Sequence, residues 1–314
     1  VLLILTPKLT LYYYYHHQHL IAPWYFSTCD PGREIGSLAQ AALNIAFPPK
    51  KYREVLTYFS DNILRYLMEN INNATPESLS DASMCSTTEA EDRYERVMAG
   101  TYAALAQFLC WLFPTPLPEG GTQPLPLPAA TQQLLTDMVN ISFFKKTTSK
   151  RACVRHGALA VLAVVCAQCP QILLPTPSLT DSDTTTPLTK TASDTTTAES
   201  TSSHPKKFKQ SPLSRLSMIV SNAFVNEKEA NNIPNTFRAF VAFIKTYPSA
   251  WIHLDFTLIV KRLIDLLTRK EKESATVELT ISYVLPILAA VPLSVIRAQH
   301  ESALVLFETL SSLT

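Results

Sequence analysis

Cys166 and Cys169 are the residue pair in this sequence whose spacing best fits metal or redox chemistry. They form a C-x-x-C motif at the end of an apolar stretch, directly before Pro170. A structural zinc site needs a second ligand pair, which His156 alone does not supply. A redox-active C-x-x-C is typical of a βαβ context, which is missing here. We therefore expect both cysteines to be buried at a helix end, as small apolar side chains.

A local cluster of basic residues is the other candidate site. It lies in the stretch FFKKTTSKRACVRH and consists of Lys145, Lys146, Lys150, Arg151 and Arg155. Lysine and arginine side chains neutralise phosphates when a protein binds RNA. A solvated turn followed by a helix face would have the same composition. Both interpretations stay open, and these five residues are candidate RNA contacts.

Signatures of catalysis and of cofactor binding are absent from the sequence. There is no G-x-S-x-G, no phosphate-binding G-x-x-x-x-G-K-[ST], no G-x-G-x-x-G and no H-E-x-x-H. His16, His17 and His19 are close in sequence, as metal ligands can be, but adjacent histidines point in different directions and do not converge on one ion. With 27 basic and 26 acidic residues, the net charge of +1 is not that of a DNA-binding protein. We expect no catalytic residue, no cofactor site and no metal ligand in this chain.

The elements that position these residues are predicted to be helices. Apolar residues recur at spacings of three and four along most of the chain. The chain has only six glycines, far below the usual share of about 7%, so it lacks the tight turns that sheets and phosphate loops need. The pattern predicts an all-α fold, an α-solenoid of antiparallel helix pairs of the HEAT or armadillo type.

Individual boundaries follow from prolines and capping residues. Pro48-Pro49 ends a helix of residues 34–47, and the next helix should fold back on it as an antiparallel partner. Thr88 and Glu91 have the spacing of a capping box at the start of a third helix. Asp255 is a plausible N-cap, and Pro286 should kink its helix. The other predicted helices are residues 52–72, 129–143, 149–169, 212–224, 235–246, 255–269, 273–290 and 294–313.

Composition divides the chain into four parts. Eleven threonines and six serines fill residues 176–203, too polar a stretch to offset the entropy of ordering. The predicted parts are an atypical or disordered head (1–25), a helical block (26–175) with a Pro-rich loop (114–128), a disordered Thr/Ser-rich linker (176–210) and a second, truncated helical block (211–314). The windows 157–175 and 279–296 lack charge, which fits either inner solenoid helices or membrane spans.

Five segments of the chain carry a family resemblance by their order along the sequence. They are Cys29–Asp81, Glu89–Val97, Pro170–Leu173, Phe237–Asp255 and Val284–Pro292. They include the AFPP helix break and the TPESLSD turn. In this order they resemble the N-terminal region of the listerin family of RING-type E3 ubiquitin ligases, which act in ribosome-associated quality control. The resemblance covers residues 20–112, 129–174 and 211–297.

The resemblance implies a function for the chain. It implies a cytosolic scaffold that docks on the 60S (large) ribosomal subunit carrying a stalled peptidyl-tRNA, together with the partner that senses that tRNA. Rescue of the stalled ribosome then involves ubiquitination of the nascent chain for degradation. The basic residues 145–155 would be candidate ribosome contacts.

The resemblance does not imply ligase activity for this chain by itself. The E2 enzyme and zinc belong to a RING, whose paired Cys and His ligands these 314 residues do not contain. We therefore expect neither ubiquitin transfer nor zinc here. The alternatives are a generic HEAT-type adaptor and, if the two uncharged windows cross a bilayer, a membrane protein.

Overall fold

The computed structural model describes residues 20–47, 49–81, 84–113, 128–173, 211–268 and 283–313, and their regular structure is entirely helical. The all-α prediction is therefore confirmed, while the HEAT-like pairing stays a prediction. The α-helices are α1 (20–28), α2 (Arg33–Ala46), α3 (Pro49–Tyr58), α4 (Ser60–Asn73), α5 (Thr87–Leu112), α6 (Ala129–Met138), α7 (Ile141–Phe144), α8 (Ala152–Gln168), α9 (Pro212–Asn226), α10 (Ile233–Thr246), α11 (Phe256–Leu267), α12 (283–289), α13 (Leu293–Ala298) and α14 (His300–Leu313). Short 3-10 helices are Lys145–Thr148, Pro170–Ile172, Ala230–Asn232 and Pro248–His253.

Several predictions concern residues outside the described ranges. They are those on the head up to residue 19, on the Pro-rich loop 114–127, on the Thr/Ser-rich segment 174–210 and on the first part of helix 273–290.

Helix α8 is the centre of the packing. It contacts both α5 and α10, while α4 packs against α5, and α11 packs against α9 and α14. A helix that is apolar on nearly all sides can be buried between neighbours in this way. The predicted apolar face of α8 is buried as expected: Val154, Ala158, Val161, Leu162 and Val165. One continuous hydrophobic core therefore joins the residues before and after segment 174–210.

Helix α2 forms where it was predicted, but much of its apolar face is uncovered. Ile35, Leu38 and Ile45 are 45%, 71% and 84% exposed, and only Gly36 and Leu43 are buried. Helix α2 lies against α1, whose Trp24 Nε1 donates a hydrogen bond to the Ala39 carbonyl at 3.2 Å. Helix α3 packs against α4 and α5. The antiparallel pairing of α2 with α3 stays a prediction.

Three predicted helices are each interrupted. Residues 52–72 form α3 and α4 with a break at Phe59, after which the buried Ser60 hydroxyl lies 3.1 Å from that of Thr131. Residues 129–143 are interrupted at Asn140, whose Oδ1 accepts hydrogen bonds from the N–H groups of Ser142 and Phe143 and so caps α7. Residues 294–313 are interrupted at Gln299.

The caps gave one correct and one wrong prediction. Asp255 is the N-cap of α11, because its side chain accepts a hydrogen bond from the Leu258 N–H at 3.2 Å. The capping box of α5 is formed by Ser86 and Glu89, so the Thr88–Glu91 prediction was wrong by two residues. Ser86 fits because its backbone is extended there, as an N-cap requires. Within the described ranges, no helix combines the length and apolar character needed to cross a membrane.

Candidate functional site: the basic junction before helix α8

The basic cluster forms a surface junction between α7 and α8. The Asn140 cap starts α7, which runs directly into the 3-10 helix Lys145–Thr148. Thr147 and Thr148 donate hydrogen bonds to the carbonyls of Phe144 and Lys145 at 2.7 and 2.8 Å, which stabilises this tight turn. We call residues 145–155 the basic junction.

The three lysines of the basic junction differ in their exposure to solvent. Lys145 and Lys150 are exposed. Lys146 is half-buried, and its Nζ donates to the Ile71 carbonyl in the last turn of α4 at 3.1 Å. Burial lowers the pKa of Lys146, while its position at a helix C-terminus favours the positive charge. Lys146 therefore holds the junction against α4.

Arg151 joins the junction to α5. Its guanidinium forms an ion pair with Glu91 and lies over the Tyr94 ring, 4.5 Å from the ring centroid. The hydrogen bond between the two charged groups raises the pKa of Arg151 and lowers that of Glu91. An arginine held by an ion pair and an aromatic face is fixed in position.

Arg155 forms the most buried ion pair of the described chain. Its Nε and Nη2 donate to the two carboxylate oxygens of Glu227 at 2.8 and 2.9 Å, and its Nη1 donates to the carbonyls of Ser149 and Lys150 at 3.0 Å. The hydrogen bond to Glu227 raises the pKa of Arg155. The side chains of Arg155 and Glu227 are only 17% and 2% exposed.

Glu227 is the centre of a network that connects α8 with the segments after residue 211. Its carboxylate also accepts hydrogen bonds from the N–H groups of Lys228 and Glu229 at 3.0 Å and from Asn232 Nδ2 at 3.2 Å. Its backbone carbonyl accepts a hydrogen bond from Arg262 of α11. Every polar atom of the carboxylate is therefore satisfied, as a buried charge requires.

His156 extends this network by one more step. Asn232 Nδ2 donates to two pure acceptors, Glu227 and the Ala152 carbonyl, so its Oδ1 faces His156 Nδ1 at 3.0 Å. The Nδ1 atom must therefore carry a proton and donate. The Asn235 amide meets the other ring nitrogen at 3.0 Å. His156 is thus occupied in joining α8 to α10.

The five candidate residues consequently have different environments. Lys145 and Lys150 face solvent, whereas Lys146, Arg151 and Arg155 have partners inside the protein. Sequence reasoning missed Glu91 and Glu227, which lie far from the cluster along the chain. The positions of charged residues along the sequence do not indicate which of them form ion pairs over such distances. Contact of the junction with RNA stays a prediction.

The C-x-x-C cysteines lie inside the core, as predicted. Cys166 and Cys169 are 1% and 0% exposed. Burial raises the pKa of Cys169 to about 12 and raises that of Cys166 further. All six cysteines are free thiols. Among the described residues, no group of three or more His, Cys, Asp or Glu side chains is arranged to hold a metal ion.

Comparison with known proteins gives one family. Residues 12–199, more than half of the chain, match the N-terminal domain of the E3 ubiquitin-protein ligase listerin. The chain is 25% identical over 167 residues to the E3 ubiquitin-protein ligase listerin of Xenopus tropicalis, covering 53% of this chain and 9% of that protein. It is 30% identical over 89 residues to that of Mus musculus, covering 28% of this chain and 5% of the relative. It is 30% identical over 95 residues to that of Gallus gallus, covering 30% and 5%.

The matched part of the chain spans less than a tenth of the length of these relatives. No solved structure matches the chain. The family match begins at residue 12, before the start that the sequence resemblance indicated, and it ends at residue 199. The resemblance of residues 211–297 therefore stays a prediction.

Proposed function

The chain belongs to the listerin family, and from this premise we propose that it is the docking region of a listerin-like E3 ubiquitin ligase. Its partner is the large ribosomal subunit carrying a stalled peptidyl-tRNA, together with the quality-control partner that senses this tRNA. Docking serves the ubiquitination of the nascent chain in the cytosol. The match to the N-terminal domain over residues 12–199 is the observation that carries this proposal.

The helical packing supports a scaffold role. Helices α5, α8 and α10 share one continuous core. The buried ion pair of Arg155 with Glu227 joins α8 to the end of α9, and the more exposed ion pair of Arg151 with Glu91 joins the start of α8 to α5. A scaffold of this kind presents a surface and carries no reaction itself. We assign ubiquitin transfer, E2 binding and zinc to a RING of the full-length family protein, since this sequence lacks the ligand pattern.

Lys145 and Lys150 are the residues that we propose for ribosomal RNA. Both side chains are exposed and neither has an ion pair within the described part of the chain. A lysine of this kind neutralises a phosphate and releases its counterion on binding. Arg151 and Arg155 are less suited, because contact with RNA would require breaking their internal pairs.

Co-sedimentation tests the proposal. The full chain is mixed with isolated large subunits that carry peptidyl-tRNA, or with empty subunits, over a series of salt concentrations. We expect selective binding to the subunits that carry peptidyl-tRNA. The double variant Lys145→Gln/Lys150→Gln should make the slope of log K against log salt shallower by about 2, because each lost phosphate contact removes ~0.9 from its magnitude.

The matched control neutralises two exposed lysines on other helices, Lys245→Gln in α10 and Lys261→Gln in α11. This variant should bind like the wild type. Equal binding to both kinds of subunit would contradict the proposed docking function. Selective binding with a slope that the Lys145/Lys150 variant leaves unchanged would keep docking but place it on another surface.

A further inference from the structure

We propose that a polar cleft beside the basic junction binds an extended peptide segment. The cleft has a volume of about 460 Å³, within the usual range of ligand sites, roughly 300–1,000 Å³. It lies between the start of α8 and the end of α9, and Thr148, Ser149, Arg155, Asn222, Asn226 and Glu227 line it. We call it the α8–α9 cleft. This proposal is independent of ribosome docking.

The floor of the cleft offers a ligand no charge. Arg155 gives its Nε, Nη1 and Nη2 donors to Glu227 and to two backbone carbonyls. The Glu227 carboxylate accepts hydrogen bonds from Arg155, from two backbone N–H groups and from Asn232. A ligand that competed for either group would leave the other charge buried and unpaired, at a large energetic cost.

The wall formed by α9 offers two side-chain amides. Asn222 and Asn226 are exposed and line the cleft, and neither amide forms a hydrogen bond within the described part of the chain. An asparagine amide both donates and accepts hydrogen bonds, as a peptide group does. Two such side chains can therefore pair with the N–H and C=O groups of a main chain.

The spacing of these amides fits an extended chain. Asn222 and Asn226 are four residues apart on α9, which separates them by about 6 Å at ~1.5 Å rise per residue. Alternate residues of an extended strand repeat at about 6.6 Å, from ~3.3 Å per residue. One amide can therefore meet one residue of a bound peptide, and the other amide the residue two positions away.

The charges at the rim favour a peptide over the RNA backbone. Lys228 and Glu229 both line the cleft, are exposed and have opposite charges. With the Arg155–Glu227 pair, the formal charges of the lining residues cancel. A surface that binds a phosphate backbone needs a net positive charge. A neutral cleft with paired amides fits the main chain of a peptide, which is recognised through backbone hydrogen bonds.

Peptide display tests this proposal. The full chain is immobilised and used to select from a random-peptide library displayed on phage. Enriched peptides are then synthesised with a fluorophore and their affinities measured by polarisation. We expect the double variant Asn222→Ala/Asn226→Ala to weaken binding about tenfold or more, because two pairs of hydrogen bonds are lost.

The chain supplies a matched control in Gln40 and Asn44 of α2. These residues have the same i, i+4 spacing, but they hydrogen-bond to each other at 3.0 Å and do not line the cleft. The variant Gln40→Ala/Asn44→Ala should bind the selected peptides like the wild type. A fluorescent oligouridine serves as the RNA probe.

Each remaining outcome overturns the proposal. These outcomes are a selection that enriches no peptide, peptides whose affinity is the same for the Asn222/Asn226 variant, and oligouridine binding that depends on the two asparagines. Circular dichroism melts of the variants distinguish a lost contact from a lost fold, because both asparagines are exposed on α9 and should not affect its stability.

Discussion

Arg155 and Glu227 form a bidentate ion pair, at 2.8 and 2.9 Å, between α8 and the end of α9. The two residues are 72 positions apart, and segment 174–210 lies between them in the chain. Because Glu227 also binds the chain that leads to α10, and its carbonyl binds α11, this pair fixes the second group of helices on the first. The polar contact supplements the apolar packing of α8 on α10.

Removing one partner of this pair should destabilise the fold strongly. Glu227→Gln leaves the guanidinium of Arg155 buried without its counter-charge, and breaking a buried pair in this way costs about 3–5 kcal/mol. We expect a correspondingly lower urea midpoint. The matched control is Asp61→Asn, which breaks the exposed pair of Asp61 with Arg65 in α4 and should leave the midpoint unchanged. Similar midpoints for the two variants would contradict the structural role of Glu227.

The contribution of Glu227 should depend on pH. Burial alone would raise the pKa of Glu227, but hydrogen bonds from Arg155, the Glu229 N–H and Asn232 outweigh burial and lower it. A carboxyl whose pKa is lowered by folding stabilises the protein above its unfolded pKa of about 4.3, and this stability is lost as the pH falls through the folded pKa.

The difference in urea midpoint between wild type and Glu227→Gln should therefore be constant near neutral pH and should shrink as the pH falls below about 4.3. Unfolding curves of both proteins over an acidic pH series measure it. A difference that stays constant throughout the series would show that the charge of Glu227 contributes nothing and that only its shape matters.

The contact of α5 with α8 depends on Gly157. A Cβ atom at this position would overlap the ring and the Cβ of Tyr102, which lies in α5. The Cγ and Cβ atoms of Tyr102 lie next to its own backbone, and the Cβ cannot move away by a side-chain rotation. The two helices would therefore have to separate. We expect Gly157→Ala to lose about 2 kcal/mol or more in chemical unfolding, despite a gain of up to ~1 kcal/mol in helix propensity.

Gly100→Ala in α5 is the comparison for this prediction. Its Cβ would lie 3.1 Å from Cε2 of Phe26, at the far edge of the ring, which can shift. This variant should unfold within about 1 kcal/mol of the wild type. If Gly157→Ala were equally well tolerated, close approach of α5 and α8 could not explain the glycine.

The sequence predicted most helices and the residues that α8 buries, because apolar spacing is a local property. It did not predict the breaks at Phe59, Asn140 and Gln299. At these positions the apolar period continues, and the break comes from a cap or from a tertiary contact such as the hydrogen bond between Ser60 and Thr131. Periodicity alone cannot show such contacts.

The candidate site was predictable only in part. The density of basic residues was visible, but the partners of Arg151 and Arg155 lie 60 and 72 positions away. The sequence also could not show that Ile35, Leu38 and Ile45 of α2 would be exposed, since an amphipathic pattern predicts burial against whatever is near. These are properties of tertiary packing.

Ser86 should be the residue that starts α5. Its side chain accepts a hydrogen bond from the Glu89 N–H at 3.2 Å, and Glu89 accepts from the Ser86 N–H at 2.8 Å. Ser86→Ala should cost about 1 kcal/mol in chemical unfolding. Thr88→Ala lies two residues further on and is the control, which should be neutral. The opposite ranking would restore the Thr88–Glu91 capping box that the sequence suggested.

Cys166 and Cys169 should be the least reactive of the six cysteines. The other four are partly exposed, whereas this pair is buried and burial raises the pKa of both thiols, so little reactive thiolate is present. A short pulse of N-ethylmaleimide followed by mass spectrometry should label the pair only under unfolding conditions. EDTA should leave the melting temperature unchanged. Rapid labelling of the native pair, or a melting temperature that EDTA lowers and zinc restores, would instead show that the C-x-x-C spacing serves chemistry rather than packing.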